Sequence, residues 1–154
     1  MENKTEILTA SMDELVPVIT ERLHAGQSVC FSPKGISMLP MLRQGIDTVT
    51  LSPLPEKIKK YDIPLYRRDN GKYVLHRIVK CGETYVCIGD NQFAKEYGIR
   101  RDQLIAVVSS FTRGGKEYSV NHFGYKLYCR FWHYTRFPRR AYRAVKRRIK
   151  ALFS

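Results

Sequence analysis

From residue 28 to residue 120 the chain is a series of short β-type runs separated by turn residues. This punctuation limits the fold more than any other feature. The runs fall at 28–31, 47–51, 63–66, 73–79, 84–88, 104–111 and 117–120, and none is long enough for a typical helix. Between them stand Pro33-Lys34-Gly35, Pro53-Leu54-Pro55, Asp69-Asn70-Gly71, Cys81-Gly82-Glu83 and Gly114-Gly115. Asp69-Asn70-Gly71 predicts a hairpin, because Asn and Gly tolerate the positive φ that tight hairpins need. Seven short strands in about ninety residues predict a mostly β body, a barrel or sandwich. One helix precedes it. Ser11 and Glu14 have capping-box spacing, Leu15, Val18, Ile19 and Leu23 share a helical face, and Gly26 supplies the stop. Pro17 lacks an amide donor, so the helix is expected to start near Pro17 or to kink there.

Composition narrows the class. A chain of 154 residues that is 44% hydrophobic, with 18 aromatic side chains, holds too much apolar material for disorder and enough for one packed domain. No run approaches the ~20 apolar residues that cross a bilayer, and the N-terminal stretch lacks the apolar core of a signal peptide. Cys30, Cys81, Cys87 and Cys129 lack metal-ligand spacing and read as reduced thiols, so neither a metal nor another cofactor is expected. Cys129 and His133 form a single pair with no partner pair.

Charge divides the chain. Lys and Arg number 27 against 14 Asp and Glu, for a formal net charge of +13. Residues 118–154 hold ten of the basic side chains and no acid, leaving a nearly balanced body. Nine aromatics also lie in this tail, from Phe123 to Phe153. The expected organisation is therefore a helical segment at 1–27, a β catalytic domain at 28–120 and a basic, aromatic helical tail at 121–154.

Three segments of the body carry residue types suited to acyl transfer. Ser37 follows Gly35 on a tight bend that would expose its hydroxyl, His76 sits within a β-type run, and Asp90 follows Gly89. A hydroxyl nucleophile, an imidazole base and a carboxylate that fixes the tautomer are the parts such catalysis needs. Each also has a plain reading: a turn serine, a packed histidine, and a Gly-Asp-Asn hairpin connector. His24 and His122 occupy positions where solvated roles suffice, as does His133.

The order of these segments is informative. Gly35-Ile36-Ser37-Met38-Leu39-Pro40-Met41-Leu42, then Asp47-Thr48-Val49, Asp62-Ile63-Pro64-Leu65-Tyr66, Val74-Leu75-His76-Arg77-Ile78 and Gly89-Asp90-Asn91 follow one another. This series resembles the LexA/signal peptidase-like serine peptidases over residues 28–112. Having His76 before Arg77 resembles the endoplasmic-reticulum and archaeal type, in which His replaces Lys as the general base. The resemblance implies the β-barrel of that superfamily, with Ser37 as nucleophile, His76 as base and the Ser37 amide in the oxyanion hole. Asp90 matches the motif acid and Glu96 the second family acid, and sequence does not decide which orients His76. Gly35, Met38 and Pro40 would shape the turn and the substrate pocket. The substrate implied is an extended peptide or protein that adds as a strand beside the site. The chain departs from the signal peptidases at Gly35, where many carry a hydroxyl, at Glu96 in place of Asp, and in having no membrane anchor. As a whole it resembles the short bacterial members without an anchor.

The tail implies a location. Tyr142, Val145, Ile149, Leu152 and Phe153 share a helical face, with Arg139, Arg140, Arg143, Lys146, Arg147, Arg148 and Lys150 around the rest. Pro138 is expected to separate this helix from the aromatic segment that contains Trp132. A cationic helix of this kind suits an anionic membrane interface, here the cytoplasmic face of a bacterial membrane. Trp132, Arg139, Arg140, Arg143, Lys146, Arg147 and Arg148 are the expected membrane-contacting residues. Nucleic acid is a weaker match, since no binding motif accompanies the charge. Two other functions compete with a peptidase. One is an inert binding module docked by its tail on lipid or nucleic acid. The other is a self-processing regulator, suggested by Ala25-Gly26, a bond type that repressor relatives cleave in themselves.

Overall fold

A computed structural model describes residues 11–153. Helix α1 (Met12–His24) begins as its cap predicts: the Ser11 amide donates to the Glu14 carboxylate at 3.3 Å. It runs through Pro17 instead of starting there. Pro17 is exposed and deprives only the Asp13 carbonyl of its intrahelical partner. Met12, Leu15 and Val16 pack on the core alongside buried Ile19 and Leu23, so tertiary packing outweighs the local conflict. Gly26, at φ 74°, ends the helix in the left-handed region, as expected.

Among the described residues nine strands follow: β1 (Val29–Phe31), β2 (Val49–Ser52), β3 (Pro64–Arg67), β4 (Tyr73–Leu75), β5 (Arg77–Lys80), β6 (Tyr85–Ile88), β7 (Glu96–Ile99), β8 (Leu104–Arg113) and β9 (Lys116–Ser119). They form two antiparallel sheets. The larger has the order β1-β2-β8-β3-β4, with β9 also paired to β8, and the smaller has the order β5-β6-β7. Among the described residues the sheets do not close into a barrel, and helix and strand contribute nearly equally, so the expected mostly β barrel is corrected to a mixed fold. The Asp69-Asn70-Gly71 hairpin forms between β3 and β4, with the Arg68 amide donating to the Lys72 carbonyl at 2.8 Å.

The single run expected at 73–79 is two strands. β4 pairs with β3 in the larger sheet and β5 with β6 in the smaller, and His76 is the residue at which the chain changes sheets. One cluster of buried side chains joins Leu51, Leu65, Ala106 and Val108 of the larger sheet to Ile19 and Leu23 of α1. A second joins Tyr66, Leu104 and Val107 to Ile78, Tyr85, Cys87 and Ile99 of the smaller sheet. The larger sheet is thus covered on both faces, which explains the continuous burial of Pro64, Leu65 and Tyr66 in β3.

The tail is two helices, α2 (Phe123–Tyr134) and α3 (Arg136–Leu152). The break lies at Thr135, and Pro138 falls in the first turn of α3, where its missing amide costs no hydrogen bond. Tyr125 and Cys129 of α2 enter the main core, whereas α3 has no buried residue. None of the described helices is long and apolar enough to cross a membrane.

At the junction of these elements lies Arg77, 1% exposed. Its Nε and Nη2 donate to the two carboxylate oxygens of buried Asp90, at 2.8 and 2.7 Å. Its Nη1 donates to the Tyr125 hydroxyl at 2.8 Å, and its remaining donors meet Cys129, the Tyr61 carbonyl and Met41. Burial opposes the charge on Arg77, but the Asp90 carboxylate, together with Tyr125 and Cys129, more than offsets it and holds the guanidinium well above its usual range. Substituting Asp90→Ala would leave that charge buried without a counterion, at a cost of about 3–5 kcal/mol. Urea denaturation at neutral pH should show a loss of this size.

Candidate active site

The turn between β1 and β2 carries Ser37. Gly35 opens it at φ 94°, a conformation that disfavours side chains, and its amide donates to Gln44 Oε1 at 2.7 Å. Met38, Met41 and Leu42 then point into the core and anchor the turn, leaving Ser37 half-buried above them. His76 arrives from the sheet crossing, with 2% of its surface exposed. Ser37 and His76 line one cleft of about 220 Å³, together with Gly35, Met38, Arg68 and Gln92. Tyr73, Val74 and Leu75 of β4 also line it, and among the described residues β4 is an edge strand, bonded only to β3. Of the expected pocket residues, Gly35 and Met38 reach this cleft. Pro40 lies beyond it in the same turn, where its carbonyl accepts from Arg113.

Gly89 packs against both the Ser37 backbone and the His76 ring. A Cβ there would stand 2.7 Å from the Ser37 carbonyl oxygen and 3.1 Å from His76 Nε2. Only a residue without a side chain lets the loop after β6 approach both.

Of the two candidate acids, Glu96 is the one on the imidazole. His76 Nδ1 lies 2.8 Å from Glu96 Oε1, with the Tyr66 hydroxyl at 3.4 Å. Nδ1–H donating to the carboxylate leaves Nε2, the nitrogen beside Gly89, free to accept a proton. Asp90 faces the opposite way, onto Arg77, and takes no part in this contact. Adjacent residues His76 and Arg77 therefore each hold one of the two acids.

Sequence reasoning missed Arg68 and β7. Arg68 grips Glu96 with Nε at 2.8 Å and Nη2 at 2.5 Å, a forked contact that fixes the carboxylate in place. Burial pushes the Glu96 carboxyl up, but hydrogen bonds from Arg68 and the charges of His76 and Arg68 bring it below the usual range. Burial dominates at His76 and lowers its pKa, against the pull of Glu96, so the imidazole is neutral at neutral pH and competent as a base. Nothing near Arg68 in sequence signals its role. β7, which carries Glu96, lacks apolar alternation and contains Gly98 at φ 71°.

The expected membrane residues separate into two sets. Trp132 is half-buried and donates from Nε1 to the Asp90 carbonyl at 2.8 Å, and the Arg139 guanidinium lies 3.4 Å over its ring. Arg143 donates from Nη2 to Asn91 Oδ1 at 2.8 Å. Trp132 and Arg143 thus contact the body, where the loop after β6 offers acceptors, while Arg139 is held within the tail on Trp132. Arg143 and the other four, Arg140, Lys146, Arg147 and Arg148, remain exposed. So do Phe123, Leu127, Phe131 and Tyr134 along the outer side of α2, and Tyr142, Val145, Ile149 and Leu152 on α3. The Ala25-Gly26 bond sits at the end of α1, with the Gly26 amide tied to the Leu23 carbonyl, and neither residue lines the cleft. No group of His, Cys, Asp and Glu suited to a metal occurs among the described residues.

Comparison with family models, curated protein sequences and solved structures finds no match to this chain.

The depressed pKa of His76 fixes the direction of a pH effect. Below the ordinary histidine value of 6.5 the unfolded chain takes up a proton that folded His76 resists, so stability falls from there until His76 itself titrates. His133, also lowered by burial and by Lys60, Arg136 and Lys95, adds to the same window. Denaturant unfolding from pH 7.5 to 5 should show this loss, and His76→Gln should remove the His76 share while leaving that of His133.

Proposed function

We propose that this chain is a serine peptidase in which Ser37 is the nucleophile, His76 the general base and Glu96 the acid that orients it. One observation carries the reading. His76 is held through Nδ1 by Glu96, its other nitrogen lies beside Gly89 as does the Ser37 backbone carbonyl, and Ser37 and His76 line one cleft. Ser37 loses its proton to Nε2 as its oxygen attacks a carbonyl, and the imidazolium formed is stabilised by Glu96. The same proton then passes to the leaving amine. The Ser37 amide donates to the oxyanion, and charge that exists only in the tetrahedral state gains most from such a donor. The substrate is an extended peptide running along the edge of β4, a geometry in which backbone hydrogen bonds supply affinity and the small cleft admits short side chains. No cofactor takes part in this chemistry.

The same protein is peripheral at the cytoplasmic face of a membrane. Support comes from the exposed apolar side chains of α2 and α3, which lie among ten basic residues and no acid. This composition favours an anionic lipid interface, where aromatics enter the headgroup region and cations face lipid phosphates.

A serine-directed fluorophosphonate probe, read by mass spectrometry, tests the chemistry. Modification at Ser37 is expected in the native protein, none in Ser37→Ala, and a rate lower by about 100-fold or more in His76→Ala. Equal rates with and without His76 would refute the dyad.

Sedimentation with phosphatidylglycerol and phosphatidylcholine vesicles tests the location. Binding is expected to the anionic vesicles only. Each basic group near such a surface contributes about 1 kcal/mol, so Arg147→Glu with Arg148→Glu should weaken it by at least about tenfold. Salt-sensitive binding to RNA without vesicle binding would move the tail to the nucleic-acid reading.

A further inference from the structure

The loop that follows β6 does more than bring Gly89 to the site. Asn91 makes two contacts with the nucleophile turn: its amide donates to the Ser37 carbonyl at 2.8 Å, and its side-chain Nδ2 donates to the Ile36 carbonyl at 3.1 Å. These two carbonyls belong to the two peptide units that flank Ser37. A peptide unit is planar, so the direction of the Ile36 carbonyl sets the direction of the Ser37 N–H. Asn91 therefore aims the amide that faces the reacting carbonyl, and holds the next peptide plane as well.

A side-chain amide can meet a carbonyl usefully only with its nitrogen. What selects that orientation is Arg143, on α3. A guanidinium has donors and no acceptor, so the 2.8 Å contact of Arg143 Nη2 requires the oxygen of Asn91 on its side and turns Nδ2 toward Ile36. Arg143 Nη1 also lies 3.4 Å from the Asn91 carbonyl, and the guanidinium packs 5.3 Å from the centre of the Phe93 ring. From α2, Trp132 holds the preceding carbonyl, that of Asp90. The loop is thus gripped by both tail helices on one side and grips the nucleophile turn on the other.

We propose that Arg143 is a positioning residue for Ser37, acting through the Asn91 side chain, so that the basic C-terminal helix is part of the catalytic apparatus. This rests on the reading of Ser37 as a nucleophile. It assigns Arg143 to the site and leaves Arg140, Lys146, Arg147 and Arg148 for the surface.

The test compares Arg143→Ala, Arg143→Lys, Asn91→Ala and the double variant Arg143→Ala/Asn91→Ala, with exposed Lys57→Ala as control. Two quantities are read on the full chain: the rate of fluorophosphonate modification at Ser37, and hydrogen exchange at the Asn91 and Leu39 amides, the second of which donates to the Ile36 carbonyl at 3.2 Å. Circular dichroism establishes that each variant is folded. Arg143→Ala should slow modification by about tenfold or more, a modest loss on the scale of what misplaced catalytic groups cost. It should also speed exchange at both amides. Lysine can still donate to Asn91 Oδ1 and should restore part of the rate. The double variant should be no slower than Asn91→Ala, because residues acting as one unit are not additive. Unchanged exchange in Arg143→Ala overturns the proposal, as does faster exchange with an unchanged rate, or additive losses in the double variant. A native protein that is not modified at Ser37 would refute the nucleophile reading, while exchange would still report whether Arg143 braces the turn.

Discussion

A fully buried ion pair organises this molecule. Arg77 on β5 and Asp90 after β6 meet through two short hydrogen bonds, and the other donors of Arg77 reach α2, the turn that follows Ser37 and the loop before β3. Burying two charges is expensive, and replacing such a pair with apolar residues is often neutral or stabilising. Its value here is directional. A guanidinium with its donors committed tolerates one arrangement of its neighbours, and that arrangement places Gly89 against Ser37 and His76. An apolar cluster of the same volume would accept several.

The change of sheets at His76 makes this arrangement possible. Consecutive side chains in an extended chain point to opposite faces, so the residue at the crossing looks into the cleft and the next looks into the core. One acid is needed on each side. Asp90 neutralises a permanent charge in the interior, and Glu96 meets a titratable ring near the surface. Glu96 is itself held by Arg68, so a cation, a carboxylate and an imidazole form a chain that ends beside Ser37. Burial keeps that imidazole neutral against the pull of the carboxylate.

The tail has two kinds of surface that its composition blends together. On α2, one side enters the core through Tyr125 and Cys129 while Phe123, Leu127, Phe131 and Tyr134 stay exposed. On α3, Arg139 and Arg143 turn toward Trp132 and Asn91, and Arg140, Lys146, Arg147 and Arg148 are exposed. A helix that braces a site and also offers a charged, apolar surface keeps the two at a fixed separation. On this view the cleft works close to whatever the tail rests on.

Much of this was legible in the residue order. Turn chemistry predicted the β3–β4 hairpin and six of the nine strands close to their places, and capping spacing predicted the start of α1. These are local effects: a Gly at positive φ or a carboxylate three residues from a Ser acts within its own few residues. The run at 73–79 gave no sign of its division, because alternation is the same whether a strand stays in one sheet or passes to another. β7 was hidden for a related reason, since a segment with Gly98 and only Ile99 buried becomes a strand through pairing with β6 and not through its own preference. Sequence placed Ser37 and His76 as candidates with two possible acids. Tertiary structure alone paired Glu96 with His76 and Asp90 with Arg77, and brought Arg68 onto Glu96 and Arg143 onto Asn91. Hydrogen-bond partners tens of residues apart depend on how strands cross and helices pack, and neither distance nor direction between such residues is encoded in the neighbours of either one.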